Sequence, residues 1–413
     1  MTASLTHQLL SKQIYYLGAH DHQITKFENI WPIDGGISYN CYLIIDQFCA
    51  LIDTVESHFS QELLSKISQL LCSRSLDYLV INHMEPDHSG SLAKLKEMYP
   101  NLVIIGNHKT TQFAEGFYGL STDSFKEVQD GETLSLGSHQ LQFFLTPMAH
   151  WPESMVSYET SQQILFSSDL FGGFQTVDEI PVFENRNDQA QMIQQAREYF
   201  ATVLGNYTRP AFASLKKLKN LAISSIAPAH GLVWQSQYST IFDLYWRWSQ
   251  YLPDMENQPE ITIIVGSMYG HTLKMGQLLA QEMENRGIDT TLLDASHTSS
   301  TKLLGAVWKN EGLIVGSCTY ANGLFPPIKI LLDYLTERKI KNRVLGLFGS
   351  YSWTGGAMRF LTDFASQSQW TLLKPTVSTQ YQLNQDSQKQ LVELADSFQS
   401  HFNSIQKNDP QES

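Results

Sequence analysis

The sequence predicts an α/β protein of two domains: a layered α/β body followed by a doubly wound parallel sheet. Three observations predict it. At 413 residues the chain exceeds one ordinary domain. Short apolar runs recur through the first half, each followed within a few residues by a turn carrying histidine or aspartate. The second half opens on strand, turn and amphipathic helix, the unit from which parallel sheets are built. The halves meet near 253–260 (PDMENQPE), a short acidic and polar stretch with Pro253 and Pro259. This places the domains at 1–255 and 259–405. An aromatic amphipathic helix is expected just before the junction, at roughly 236–252, and a buried strand just after it, from Ile261 to Val265. The closing stretch SIQKNDPQES is polar and expected to fray.

Composition narrows the class. At 42% hydrophobic and 17% charged, the chain has the make-up of a globular protein. No apolar run is long enough for a spanning helix. The N-terminal MTASLTHQLLSKQIYY lacks the basic region, apolar core and small-residue cleavage site of a secretory signal. A cytoplasmic location is therefore expected. A net charge of −13 argues against a general binder of nucleic acid or anionic membranes. The cysteines (Cys41, Cys49, Cys72, Cys318) form no CxxC pair, which leaves no thiolate zinc knuckle and no rubredoxin-type iron site. At this density they are expected to be buried free thiols rather than a disulfide framework.

In the first half, four apolar runs read as buried strands: 76–82, 141–146, 164–168 and 222–226. In a layered α/β fold, side chains just past strand ends converge on one edge of the sheets. The first run leads into INHMEPDHSG, which supplies His83, Glu85, Asp87 and His88, with Gly90 expected to open a helix. The second leads to TPMAHWPESM and His150. The third gives SSDLFGG, with Asp169, Gly172 and Gly173, and the fourth APAHG, with His230 and Gly231. Alone, a histidine after a strand is ordinarily a hydrogen-bonded loop residue, and an aspartate before a helix is ordinarily an N-cap. Four ligand-type side chains packed into HMEPDH would instead crowd charge at a sheet edge with no cation to hold it. Three more in matching positions make the set read as a metal centre. Structural zinc prefers Cys and His, and catalytic zinc tolerates one carboxylate among imidazoles. Three carboxylates suit iron or manganese. If one aspartate bridges two divalent ions, the ions, the three carboxylates and one hydroxide sum to zero charge, which a buried pocket tolerates best.

The second half begins ITIIVGSMYGHTLKMGQLLAQEM. A buried strand stops at Gly266, and the turn Ser267, Met268, Tyr269, Gly270, His271, Thr272 leads into a helix. Backbone N–H groups at that helix start, with the Ser267 and Thr272 hydroxyls, make a phosphate cradle. The turn lacks the lysine of a P-loop and the GxGxxG of a dinucleotide fingerprint. Two further strands, 312–316 and 344–348, lead into SCTYANGLFPP and GSYSWTGG. Both loops mix hydroxyls, small residues and an aromatic, which suits a flat polar ring with apolar faces. In a doubly wound sheet the three loops neighbour one another at the switch point.

The order HxExDH, then His, Asp and His at these intervals, resembles the flavodiiron family, a redox branch of the metallo-β-lactamase superfamily. Hydrolases of that superfamily typically show HxHxDH, and Glu85 stands where their second His would be. Residues 260–405 resemble flavodoxin domains. The resemblance implies a metallo-β-lactamase-like αβ/βα sandwich followed by a flavodoxin-like sheet, with two iron ions and one FMN per chain. It implies His83, Glu85 and His150 on one iron, Asp87, His88 and His230 on the other, and Asp169 bridging. For FMN it implies the Ser267–Thr272 turn at the phosphate and Thr319, Tyr320, Ala321, Asn322 and Gly323 along one side of the ring. Ser350, Tyr351, Ser352 and Trp353 would line the other. The activity implied is reduction of dioxygen to water, of nitric oxide to nitrous oxide, or both. Family members often carry another histidine near the pocket from the N-terminal region; here that stretch reads KFENIWPIDGG and offers none.

A domain of roughly 250 residues has a radius of gyration of about 18 Å. Two sites at the edges of adjoining domains could thus lie too far apart for fast electron transfer. A head-to-tail homodimer, the arrangement known in the family, would set the FMN of one chain beside the iron pair of the other. With no rubredoxin module or reductase domain in the sequence, a separate donor such as rubredoxin or a rubredoxin/flavin reductase is expected. Two rival readings stand beside this one. The first is a dinuclear zinc hydrolase whose metal-bound hydroxide attacks an ester or thioester; Glu85 and the flavin half argue against it. The second is an electron carrier with a structural metal site.

Overall fold

Strand pairing in the first half builds two sheets on one core. The computed structural model describes residues 8–176, 181–255 and 260–408. It divides into two units, Met1–Ser249 and Gln250–Ser413. Residues 256–259 of the expected linker lie outside the described residues.

In the first unit one sheet runs β1 (Gln8–Ser11), β2 (Ile14–Tyr16), β7 (Tyr42–Ile45), β8 (Cys49–Ile52), β9 (Tyr78–Val80), β10 (Val103–Gly106), β11 (Phe125–Glu127). It is antiparallel as far as β8 and parallel from there on. Two small ribbons lie off it, β3 (Ala19–Asp21) with β6 (Ile37–Tyr39) and β4 (Lys26–Phe27) with β5 (Trp31–Pro32). The second sheet runs β12 (Thr133–Ser135), β13 (Gln140–Leu145), β14 (Met155–Glu159), β15 (Ile164–Phe166), β16 (Ser225–Ala227), with only the last pair parallel. Ile44, Ile52, Val80 and Ile105 from the first sheet meet Phe143, Met155, Phe166 and Ala227 from the second in one buried cluster. Each large apolar side chain so buried contributes about 1.5–3 kcal/mol. The helix Tyr238–Trp248 buries Ile241, Tyr245 and Trp248, one face at helical spacing.

Two local expectations shift. The run read at 222–226 forms its strand at Ser225–Ala227, because pairing with Ile164–Phe166 sets the register. The helix expected at Gly90 opens two residues on, at Leu92–Met98, and a shorter one precedes it. Pro86, whose fixed φ suits the first helical position, starts a short helix Pro86–Ser89, and Gly90 closes it.

The second unit is a parallel sheet in the order β18 (Asp289–Asp294), β17 (Glu260–Gly266), β19 (Gly312–Tyr320), β21 (Val344–Tyr351), β22 (Thr371–Leu372). This is the doubly wound order in which the chain reverses direction beside its first strand. The short β20 (Gly323–Leu324) pairs with β19, and β23 (Val377–Gln380) with β21. β17 is buried along almost its whole length, as a strand covered on both faces must be. β19 and β21 outrun their apolar stretches, because β20 and β23 pair with their ends. Thr319, Tyr320, Ser350 and Tyr351 are therefore strand residues rather than loop residues. The helix Gln385–Asn408 buries Leu391, Leu394, Ala395 and Phe398, and its backbone runs into the tail expected to fray; residues 409–413 lie outside the described residues.

Cys41, Cys49 and Cys318 are buried free thiols, whereas Cys72, which ends the helix Ser60–Leu71, is exposed. Among the described residues no helix is long and apolar enough to cross a membrane.

Candidate metal centre and flavin cradle

The candidate metal ligands are aimed from the seam between the two sheets of the first unit. Asn82, at the end of β9, donates its backbone N–H to Asp53 Oδ1 (2.7 Å) and its amide to Asp53 Oδ2 (3.1 Å). Its side-chain oxygen accepts from Ser157 on β14 (2.6 Å), and its carbonyl from Met155 N–H. The residue before His83 thus stitches both sheets together. His83 and Glu85 follow in the loop, and the helix Pro86–Ser89 carries Asp87 and His88. His150 comes from the loop after β13, Asp169 from the turn after β15 and His230 from the turn after β16.

All seven sequence-predicted ligands converge, in two sets. In the first, His83 Nε2 and His150 Nε2 lie 3.1 and 3.2 Å from Glu85 Oε2, and 3.3 and 3.2 Å from Asp169 Oδ2. In the second, His88 Nε2 is 3.4 Å from Asp87 Oδ1 and His230 Nε2 is 3.2 Å from Asp87 Oδ2. The same two nitrogens lie 3.2 and 3.6 Å from Asp169 Oδ1. Asp169 therefore shows one oxygen to each set. Ligands at roughly 2.0–2.2 Å from one ion stand about 3.0–3.5 Å from each other, which is the spacing found. Several of these atoms are buried and reached by no hydrogen bond: both Asp87 oxygens, His88 Nε2, His230 Nε2 and Asp169 Oδ2. Orphaned buried polar atoms are costly, and a pair of carboxylate-preferring cations satisfies them. The residues fit the two ions.

A second layer aims the imidazoles. His83 Nδ1 lies 2.7 Å from Glu153 Oε1, which also accepts from Met84 N–H (2.9 Å). His230 Nδ1 lies 2.8 Å from the Ser38 carbonyl oxygen. Engaging Nδ1 as a donor turns Nε2 toward the metal. Sequence reasoning missed the fully buried Glu153, although a carboxylate three residues after a ligand histidine was there to read in HWPES. It also missed Tyr199, whose hydroxyl donates to Asp169 Oδ1 (3.0 Å) just before a π-helical turn, Phe200–Leu204. Rings wall the pocket: Phe27 lies 5.3 Å from His230, Trp151 5.2 Å from His83 and Tyr207 5.9 Å from His150.

Burial disfavours charge on these imidazoles, but the carboxylates outweigh it. Asp169, Glu153 and Glu85 push His83 up to about 10. Asp169 and Glu85 push His150 up to about 10, and Asp87 and Asp169 push His88 up to about 9. Burial works against ionisation of Glu85 and Asp169 too, yet the surrounding histidines hold both carboxyls below the usual range. In the absence of a cation His83, His88 and His150 keep protons that a metal must displace.

The candidate flavin residues of the second unit gather at the ends of the adjacent strands β17, β19 and β21. The helix after β17 starts at His271, earlier than expected, so His271 and Thr272 form its first turn. Gly270 precedes it at φ +87° with open space around its Cα, and no side chain caps the helix. Free N–H groups at a helix start are an anion site. Ser267 Oγ accepts from Gly270 N–H (3.1 Å), and Thr272 Oγ1 lies 2.8 Å from Ser350 Oγ, joining the first loop to the third strand. Thr319 Oγ1 accepts from Ala357 N–H (3.3 Å). Ala321 and Asn322 turn left-handed ahead of Gly323, and Gly356 lies so close that a Cβ there would stand 2.1 Å from Asn322 O. The Ser352 carbonyl accepts from Gln380 (2.9 Å). Tyr269 and Trp353 are 84% and 83% exposed, and Met268 and Tyr320 are exposed beside them. Large exposed rings beside an uncapped helix start suit a phosphorylated, flat, amphipathic ligand.

The comparisons with known proteins agree with this geometry. A model of the ODP family β-lactamases matches residues 37–231, and the flavodoxin model matches residues 263–394. An anaerobic nitric oxide reductase flavorubredoxin from Pectobacterium carotovorum is 32% identical over 84% of this chain and 69% of its own length. Among solved structures, a rubredoxin:oxygen oxidoreductase from Desulfovibrio gigas has a TM-score of 0.88 at 26% identity, covering 96% of this chain and 99% of that one. A flavodiiron protein from Giardia intestinalis shares the fold, with a TM-score of 0.90 at 24% identity over 98% of this chain and 99% of its own. The chain belongs to the flavodiiron proteins, oxidoreductases that carry FMN and a pair of iron ions.

Proposed function

We propose that the chain reduces dioxygen to water, nitric oxide to nitrous oxide, or both, in the pocket framed by His83, Glu85, Asp87, His88, His150, Asp169 and His230. The observation that carries this reading is Asp169, a single carboxylate offering one oxygen to each of two ligand sets. Bound there, two iron ions supply redox couples and open positions for a small diatomic oxidant.

The chain's own residues do the rest. His83, Glu85 and His150 hold one ion, Asp87, His88 and His230 the other. The three carboxylates offset the cationic charge inside a low-dielectric wall. Glu153 and the Ser38 carbonyl fix the tautomers of His83 and His230. Tyr199 holds Asp169 in place through its hydroxyl. The Ser267–Thr272 turn takes the FMN phosphate. Thr319, Tyr320, Ala321, Asn322 and Gly323 flank one side of the ring, and Ser350, Tyr351, Ser352 and Trp353 the other. In this reading residues 1–255 are the iron domain and 259–405 the flavin domain. The protein acts in the cytoplasm as a head-to-tail homodimer and takes electrons from a separate rubredoxin-type donor or flavin reductase.

The test is metal and flavin analysis, then stopped-flow mixing of the reduced protein with each gas. Two iron ions and one FMN per chain, with rapid flavin reoxidation by at least one gas, are expected. Two zinc ions, no iron and slow reoxidation would sink the reading in favour of a hydrolase.

A further inference from the structure

His230 reaches the pocket from the turn after β16, and each residue of that turn, Pro228 to Gly231, is bonded to one short segment, Ser38 to Tyr42. The Pro228 carbonyl accepts from Asn40 Nδ2 (3.0 Å) and from the Tyr42 hydroxyl (2.8 Å). The Ala229 carbonyl accepts from the backbone N–H of Asn40 (2.7 Å). His230 Nδ1 meets the Ser38 carbonyl oxygen, and Gly231 N–H donates to Ser38 Oγ (2.9 Å). The Gly231 carbonyl accepts from Asn40 Nδ2 as well (3.0 Å). One amide group thus bonds the carbonyl two residues before the ligand and the carbonyl just after it. Its own oxygen accepts from the Tyr16 hydroxyl (2.8 Å). Both donors and the acceptor of a fully buried Asn40 are therefore in use. The turn has no slack elsewhere. Gly231 is left-handed at φ +72°, and a Cβ there would stand 2.8 Å from the Gly173 backbone, four residues after Asp169. Ala229 N–H donates to the carbonyl of Ser168, the residue before Asp169 (2.8 Å).

We propose that Asn40 is a positioning residue for the set Asp87, His88 and His230. Its side-chain amide holds the His230 turn in register with Asp87 and Asp169, and so governs how tightly that set binds its ion. The proposal rests on the metal-centre reading given above. Ligand side chains must be held within about 0.5 Å of their working geometry, and His230 is carried by a turn rather than by a helix or strand. The buried carbonyls of Pro228 and Gly231 both need a donor, and the Asn40 amide serves the two at once. A carboxylate of the same shape brings no N–H group and sets oxygen against oxygen. The turn must then shift, and the 3.2 Å approach of His230 Nε2 to Asp87 Oδ2 is lost. His83, on the other set, is held by a different group, the Glu153 carboxylate. The two sets are thus oriented by separate devices, one neutral and one charged.

The test titrates Co(II) into the full chain freed of metal, as wild type, Asn40→Asp, Ser38→Ala and Glu153→Gln. Anomalous X-ray scattering from crystals grown at limiting Co(II) then reports the occupancy of each set separately. Asn40→Asp keeps the size of the side chain and removes both N–H donors. It is expected to weaken binding at the Asp87, His88, His230 set by about 10-fold or more, in the range found for groups that orient ligands. The His83, Glu85, His150 set should keep nearly its wild-type occupancy. Ser38→Ala removes one hydrogen bond to the same turn and leaves the Ser38 carbonyl in place. It should give the same pattern with a loss under about 10-fold, and it decides the matter if Asn40→Asp does not fold. Glu153→Gln should show the reverse pattern, with the larger loss at the His83 set. A general loss of stability would lower both sets together, so equal weakening of the two in Asn40→Asp and Ser38→Ala would overturn the proposal. Unchanged occupancy at the His230 set would overturn it as well. If wild type itself takes up no ion at either set, the metal-centre reading fails and the proposal falls with it.

Discussion

The metal pocket and the flavin cradle are built by opposite means. In the first unit the binding atoms belong to side chains, nearly all buried, and several have no hydrogen-bond partner within the protein. In the second, much of the cradle is backbone: an uncapped helix start, left-handed turns and tightly approached glycines, with aromatic side chains left facing solvent. Buried ionisable groups are costly without the right partner, so the pocket stands or falls on a few atoms. The cradle shares its task among many weak contacts. Single substitutions should therefore be severe in one and mild in the other.

The largest effect is expected at Asp169. Asp169→Asn keeps the shape but removes the charge shared by both ligand sets and places an amide where one oxygen stood. Metal content should fall well below two ions per chain, and gas reduction by about 100-fold or more, since losses of 10–100-fold already follow from changes one layer further out. Elemental analysis and turnover check this. A variant that kept both ions and most of its activity would show that Asp169 faces the two sets without serving either.

Next comes the layer behind the ligands. Glu153→Gln leaves a hydrogen-bonding group beside His83 Nδ1 but withdraws the charge that makes the imidazole more basic. Metal affinity should drop by about 10- to 100-fold, read by titrating Co(II) into the metal-free protein. The contrasting change in the cradle is Thr272→Val, which cuts the hydroxyl contact to Ser350. One hydrogen bond is worth about 0.5–1.5 kcal/mol, so FMN should bind no more than about 10-fold more weakly by fluorescence titration. If Thr272→Val abolished flavin binding, the cradle would be as concentrated in its contacts as the pocket, and the contrast between them would fail.

The same contrast explains what could be read in the sequence. Metal ligation demands particular residue types, so HMEPDH and the later His150, Asp169 and His230 could be singled out one by one, and they converge in two sets. Backbone cradles admit almost any small residue, so the flavin turns were legible only as a pattern of strand ends. The doubly wound order followed from three strand–loop units, but the lengths of β19 and β21 did not, because they depend on β20 and β23 pairing with their ends. Glu153 and Tyr199 act through neighbours distant in sequence.

The smallest effect tests whether orphaned atoms are what separates the metal pocket from an ordinary carboxylate–imidazole pair. Asp46 and His139 form such a pair in the same unit, with no ligand needed. Asp46 Oδ2 lies 2.8 Å from His139 Nδ1 and accepts from His139 N–H (2.7 Å) and Ser138 Oγ (2.9 Å), and Oδ1 accepts from Gln47 N–H (2.7 Å). Burial works against its charge, but these donors, led by His139, hold the carboxyl below the usual range. A depressed folded-state pKa means that stability is fully present above the unfolded value of about 3.9 and is lost as pH falls below it. In Asp46→Asn that dependence disappears. Thermal unfolding of the metal-free protein between about pH 5 and pH 3 should therefore show a shallower acid decline in the variant, with a Tm about 2–4 °C lower near pH 5 if roughly 1 kcal/mol is lost. Metal uptake should be unchanged, because this pair is complete in itself. If Asp46→Asn weakened metal binding as Glu153→Gln should, the two kinds of carboxylate would not be distinct.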